Sequence, residues 1–284
     1  MGARKRAALR GQWYPESREA CFKEVEGYRK EGWLKRPSGD AFQAGIVPHA
    51  GWFFSGSIAC RVIETVARGE LPDLVVLFGH HLGPSEPTSV MAEGTLETPF
   101  GDLRVHEAFS EALGRTPYVR REMSPFMAPE NTLELQLPFI RYFFGETPVC
   151  LMGVAPNKCA EPVGKSVVDA ARSLGLTVKV IGSTDLTHYG PNFGFTPQGK
   201  GEKARAWVCD TNDREAIDRM TQLDAAYFTD EALARRNACC AGAVAATLAA
   251  ARSLGIPRGL EIAHTTSFDK SPSDSFVGYT GVVF

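Results

Sequence analysis

Side chains able to hold a metal or move a proton fall at a few places in this 284-residue chain. His49 follows Pro48, His80 and His81 are adjacent, Asp185 and His188 share the segment STDLTHYG, and Cys239 and Cys240 are adjacent. Imidazole is the commonest neutral ligand for divalent transition metals. A cysteine at a helix start has its thiol pKa lowered by free N–H groups and the helix dipole, which yields the thiolate a metal needs. Glu130 and Glu134, spaced i, i+4, share one helical face. The helix carrying them is apolar enough for one carboxylate to turn inward toward a cation. Three chemistries stay open on these residues. His49, His80, His188 and Cys240 can form a metal centre. Cys240 and His188 can form a nucleophilic pair, which leaves His49 and His80 without a role. A zinc hydrolase can use Glu130 or Glu134 as general base. No GxSxG, Walker or GxGxxG sequence occurs.

The elements that must position these residues are legible as apolar runs. Residues 42–47 read as a strand broken at Pro48, and a helix follows with Ser57 as N-cap and Ile58, Val62 and Val66 on one face. Residues 73–79 and 177–182 are further buried strands, each handing over to histidine-bearing loops, and 149–155 is another. Ligands in open α/β folds sit outside the carboxyl ends of the strands. If these strands are parallel neighbours, four of the six histidines converge on one sheet edge. Elsewhere the pattern predicts a helix over 17–30, a hairpin from 89–96 and 103–105, and a helix over 129–144 interrupted at Pro138. It also predicts a turn over 37–40 and two or three helices in 204–235. The small-residue helix over 237–254 carries Cys239 and Cys240 in its first turn. Adjacent helical side chains diverge by about 100°, so one thiol faces the site, and Cys240 is the one expected. His106 is expected at an exposed helix start. Strands over 260–266 and 276–284 close the chain. The organisation is a basic, flexible tail over 1–10 and a single α/β domain over 11–284.

Composition narrows the function classes. A net charge of −2 and a pI near 6.3 give no electrostatic case for nucleic acid. No apolar run approaches the roughly 20 residues that span a bilayer, and no apolar stretch follows the basic N-terminus as in a secretory signal. Seven cysteines without CxxC spacing favour reduced thiols and a cytoplasmic address.

Seven motifs then follow in order: GQWYP, VPHAGWFFSG, the HH pair, PENTLELQLPFI, STDLTHYG, the Asn237-to-Cys240 helix start and DSFVGY. Together they resemble the Memo family, known in microbes as AmmeMemoRadiSam system protein B, across nearly the whole chain. Memo-like proteins share a fold with the catalytic subunit of class III extradiol dioxygenases, which use non-haem Fe(II). The resemblance implies an α/β domain with a mostly buried mixed sheet and a metal pocket at one edge. It implies His49, His80 (the first of the HH pair) and Cys240 as metal ligands. His188 is then a fourth ligand or the acid/base, oriented by Asp185. His81, Glu130 and Glu134 are supporting residues, with Glu134 the inward carboxylate against a ligand loop. Fe(II) is the expected cofactor, with zinc or copper as alternatives, and the expected chemistry is redox or dioxygenase-like on a small molecule. Because the dioxygenases use a carboxylate where this family carries the cysteine, the reaction need not be theirs. The alternative function is a peptide- or protein-binding adaptor, and the family name implies radical-SAM and AMMECR1-like partners.

Overall fold

The computed structural model describes residues 3–39 and 41–284; Met1, Gly2 and Asp40, and with them parts of the expected tail and the 37–40 turn, lie outside the described residues. The strands are β1 (Arg4–Lys5), β2 (Ala44–Val47), β3 (Leu74–Gly79), β4 (Ser89–Met91), β5 (Thr95–Leu96) and β6 (Leu103–Arg104). They continue with β7 (Arg120–Glu122), β8 (Val149–Gly153), β9 (Val178–Ser183), β10 (His188–Tyr189), β11 (Leu260–Thr266) and β12 (Phe276–Val283).

Nine of these form one mixed sheet in the order β10-β12-β2-β9-β3-β8-β4-β7, with β11 on the other side of β12. The run β2-β9-β3-β8 is parallel, and β12 and β4 flank it antiparallel. Parallel strands covered on both faces must be apolar on both. In β3, Leu74, Val76 and Phe78 enter one core, while Val75 and Leu77 enter the other. Helices Ala160–Ser173 and Ala241–Ser253 cover the first face. Helices Arg18–Lys30, Trp52–Val66 and Leu137–Phe144 cover the second. The protein is an α/β fold with a largely buried mixed sheet.

Several local expectations shift. The second helix begins at Trp52, not near Ser57, because Gly51 ends the His49 loop and Trp52 N donates to Trp13 O at 2.8 Å. Of the expected hairpin, β5 and β6 do pair, but β4 belongs to the main sheet. The basic arm is not a loose tail over residues 3–10: β1 pairs with β5, and the Arg4 guanidinium makes two 2.9 Å bonds to Asp102. Residues 129–144 divide as Pro138 requires, into a short turn Asn131–Glu134 and the helix Leu137–Phe144. His106 caps its helix, Nδ1 accepting from Phe109 N at 3.2 Å. No helix among the described residues is long and apolar enough to cross a membrane.

Candidate metal centre

Strand order dictates what meets at the carboxyl edge. β9 lies between β2 and β3, so the His49 loop and the His80–His81 loop flank the Asp185 loop. Cys239 and Cys240 arrive from the chain entering helix Ala241–Ser253. Donor atoms of His49, His81, Cys239 and Cys240 all lie within 4.8 Å of one another. His49 and His81 line one end of a cavity of about 450 Å³, walled by Trp13, Phe53, Phe54, Val277 and Tyr279.

His49 is 1% exposed and held on every side. Its N–H donates to Asp185 Oδ1 at 2.7 Å, its carbonyl accepts from Asn131 Nδ2 at 3.1 Å, and Nδ1 bonds Ser183 Oγ at 3.0 Å. Its Nε2 then faces Cys239 Sγ at 3.2 Å. Burial alone would lower the His49 pKa, but Asp185 and Cys239 outweigh it and raise it to about 9. Burial would likewise raise the Cys239 thiol. The Cys240 hydrogen bond and the neighbouring His49 and His188 rings instead hold it well below the ordinary thiol range. Both shifts run in the direction of a thiolate–imidazolium contact, and Asp185 N also donates to Cys239 Sγ at 3.2 Å.

Each expected site residue has a definite place. Of the expected ligands, His49 and Cys240 are in the cluster and His80 is not. Successive residues leaving a strand alternate faces, and a left-handed φ of 65° at His80 reverses the chain there. His80 turns into the core against Phe126 and Gly153, with Nε2 unpaired, while the His81 ring meets that of His49 edge-on at 5.0 Å. The register expected at the HH pair is thus displaced by one.

The cysteines carry a second correction. Residues 237–240 precede the helix rather than open it: Cys239 N donates to Asp185 O and Cys240 N to Thr184 Oγ1, at 3.1 Å each. The 100° rule does not apply to them. Both sulfurs face the same region, 4.0 Å apart, and it is Cys239 that contacts His49.

His188 and Asp185 stand at the edge of the cluster. Asp185 Oδ2 lies 3.8 Å from His49 Nε2 and 3.9 Å from His188 Nε2, and His188 Nε2 is buried without a hydrogen-bond partner. Burial raises the Asp185 carboxyl above its usual range, and the His188 ring is raised despite burial by Cys239 and Asp185. Behind this loop, Asp213 Oδ1 accepts from both N and Oγ1 of Thr187, and Asp213 Oδ2 pairs with His264 Nε2 at 3.0 Å. Asp213 follows a π-helical turn, Val208–Asn212, of the kind that often marks functional sites. Glu134 is the inward carboxylate, but it accepts from Leu9 N and Tyr14 O–H rather than from a ligand loop. Glu130 is the acid near the site, with Oε1 3.8 Å from His81 Nδ1. Sequence reading passed over Asn131, Thr132 and Gln136, gave Ser183 no role, and set Cys239 aside in favour of Cys240. For these, only their position in the same motifs gave a signal.

The donor set fits a metal: Ser183 engages His49 Nδ1 and leaves Nε2 facing the cluster, a cysteine beside it can supply the anion, and a buried His188 nitrogen has no hydrogen-bond partner. Fold and site together define an α/β protein with strand-end histidines and vicinal cysteines under an aromatic-walled cavity. The family model for Memo-like protein matches residues 5–283, and this chain belongs to the Memo family. MEMO1 family proteins of Methanopyrus kandleri and Pyrococcus horikoshii are 34% and 30% identical to it, over 98% and 99% of this chain and 97% and 99% of theirs. One from Pyrococcus abyssi is 30% identical, over 97% of each chain.

Proposed function

We propose that this protein binds a divalent transition metal, Fe(II) foremost, and performs redox chemistry on a small, uncharged, largely apolar molecule. The observation that carries this reading is the convergence of His49, His81, Cys239 and Cys240 donor atoms within 4.8 Å. Two imidazoles and one thiolate leave coordination positions open, as non-haem iron oxygenases require with their carboxylate. When bound, such a metal supplies Lewis acidity and one-electron chemistry. The chain's own residues supply the rest. The lining residues include four aromatic side chains besides the histidines and neither lysine nor arginine, which suits a neutral flat molecule. His188, beside Asp185, holds a proton within reach of that molecule and serves as acid or base. Glu134 accepts from Leu9 N and Tyr14 O–H instead of facing the cluster, which weighs against a hydrolase using it as the base.

The test is metal analysis of untagged protein, followed by anaerobic Fe(II) and Zn(II) titration of the wild type, His49→Ala and His81→Ala. One metal per wild-type chain, lost in both variants, is the expected result. No stoichiometric metal in the wild type after reconstitution overturns the proposal. Stoichiometric Zn(II) with no Fe(II) uptake overturns its redox part.

A further inference from the structure

The two histidine loops leave strands that are not neighbours. With β9 between β2 and β3, their ends stand roughly 10 Å apart, twice the inter-strand spacing. A metal tolerates errors of only about 0.2 Å in its ligand distances. Something must hold both loops at one separation.

Residues 130–136 touch both. On the His49 side, Asn131 Nδ2 donates to His49 O at 3.1 Å, Gln136 Nε2 donates to Pro48 O at 2.9 Å, and Leu135 O accepts from Trp52 Nε1 at 3.1 Å. On the other side, Thr132 Oγ1 accepts from His80 N at 2.7 Å, and Glu130 Oε1 lies 3.8 Å from His81 Nδ1. The turn is itself rigid: the Glu130 carboxylate caps it, accepting from Thr132 N at 2.9 Å and Leu133 N at 3.0 Å. It is also seated firmly, since a Cβ on Gly79 would stand 2.4 Å from Thr132 Oγ1 and 2.7 Å from a Leu133 methyl. Thr132 is fully buried and Gln136 is 1% exposed, so these polar groups are not solvated surface.

We infer that the turn over 130–136 is the spacer of the metal centre: Asn131 and Thr132 are positioning residues that set the distance between His49 and His81. The inference rests on the proposed metal site. It assigns a function to Glu130, Asn131, Thr132 and Gln136, polar letters of ENTLELQ that an amphipathic helix would not need. Each of the two loops loses its fixed place when its own tether is cut, with the donor atoms themselves untouched.

The experiment uses Co(II) as the probe, which reports coordination through its visible spectrum as well as through affinity. Asn131→Ala frees the His49 carbonyl. Thr132→Val keeps the shape of threonine and removes the acceptor for His80 N–H. Each is expected to bind one Co(II) about 10- to 100-fold more weakly than the wild type, the usual cost of losing an outer-shell partner, with an altered ligand-field spectrum. Thr132→Ser and Asn131→Gln, which keep the polar group, restore the wild-type spectrum. Glu134→Gln, in the same turn but bonded to the N-terminal arm, leaves affinity and spectrum unchanged. Thermal melting of each metal-free variant shows that it is folded. If the wild type binds Co(II) and both tether variants match it within twofold, the spacer role is overturned. If Glu134→Gln shifts the spectrum as they do, the effect is general loosening and the inference is likewise overturned. If the wild type itself takes up no metal, it is the proposed function that has failed, and the spacer inference falls with it.

Discussion

His49 Nε2 and Cys239 Sγ lie 3.2 Å apart in a buried site, and each shifts the other's titration. Despite burial, the imidazole pKa is raised to about 9 by Asp185 and Cys239. The thiol is held well below its ordinary range by Cys240, His49 and His188. A metal requires neutral imidazole and thiolate. The downward shift of the thiol favours the thiolate, so the proton that leaves on binding is assigned to His49, whose pKa is raised to about 9. Metal affinity is therefore expected to climb from pH 7 to about 9 and then level off. Calorimetry in buffers of differing ionisation enthalpy should count about one proton released per metal at pH 7.5; a count of zero would refute this assignment. The linked stability has a definite sign. The folded value lies above the roughly 6.5 of an unfolded histidine, so the stabilisation is complete below about 6.5 and is lost as pH rises through about 9. The depressed Cys239 thiol acts in the opposite sense, adding stability as pH rises toward the ordinary thiol range. The His49 contribution is therefore read by difference: between pH 6.5 and 9.5 metal-free His49→Gln should lose less stability than the wild type, or gain more. The same contact ranks the cysteines. Cys239→Ser should weaken metal binding more than Cys240→Ser, the reverse of the expectation that Cys240 is the ligand. Equal losses would indicate that both sulfurs bind.

The elements that end at the site explain which parts of it were readable in sequence. Apolar runs at 73–79 and 177–182 announced parallel strands, and strands of that kind present their loops at one edge whatever the loops contain. Hence His49, Asp185 and His188 were locatable from their places after β2 and β9. The choice between His80 and His81 was not, because it depends on a left-handed φ that histidine adopts only when its surroundings compel it. Those surroundings are Gly153 on β8, whose missing side chain leaves room for the His80 ring, and Thr132, which takes its N–H. Neither is near His80 in sequence. Gly79 belongs to the same junction. Gly79→Ala forces a methyl to 2.4 Å from Thr132 Oγ1, an overpacking that should cost about 1–3 kcal/mol. Urea denaturation would measure it as a lower midpoint at constant slope. Because the strain falls on the turn over 130–136, Co(II) affinity should drop as well. A variant that loses stability but keeps wild-type affinity would separate the packing of this junction from the metal centre.

At the scale of the whole molecule, the N-terminal arm was the least readable part. A run such as ARKRAALR looks like solvated charge, since lysine and arginine are seldom buried without partners. The partners lie far along the chain. Lys5 is 5% exposed, its Nζ donates to Ala128 O at 2.6 Å, and burial lowers its pKa. Leu9 N donates to Glu134 Oε1 at 2.6 Å, and Trp13 O accepts from Trp52 N at 2.8 Å. The arm thus runs from the small sheet past the underside of the turn over 130–136 and delivers Gln12 and Trp13 to the cavity wall. Glu134 is the clasp. Its carboxyl is buried, its Oε2 has no hydrogen-bond partner, and burial pushes its pKa up. Removing residues 1–9 takes away the Leu9 N–H and leaves the carboxyl with the 3.3 Å contact from Tyr14 O–H among the side-chain bonds. An underpartnered buried polar group costs about 1–3 kcal/mol, and the lost β1 pairing adds to it. For a chain of this size each kcal/mol lowers the melting temperature by about 2–4 °C, so the truncated protein should melt roughly 5 °C or more below the full chain. Glu134→Leu in the truncated background should recover part of that loss by removing the buried carboxyl, whereas in the full chain it should destabilise. A truncation that leaves the melting temperature unchanged would show that the arm rests on the fold without supporting it.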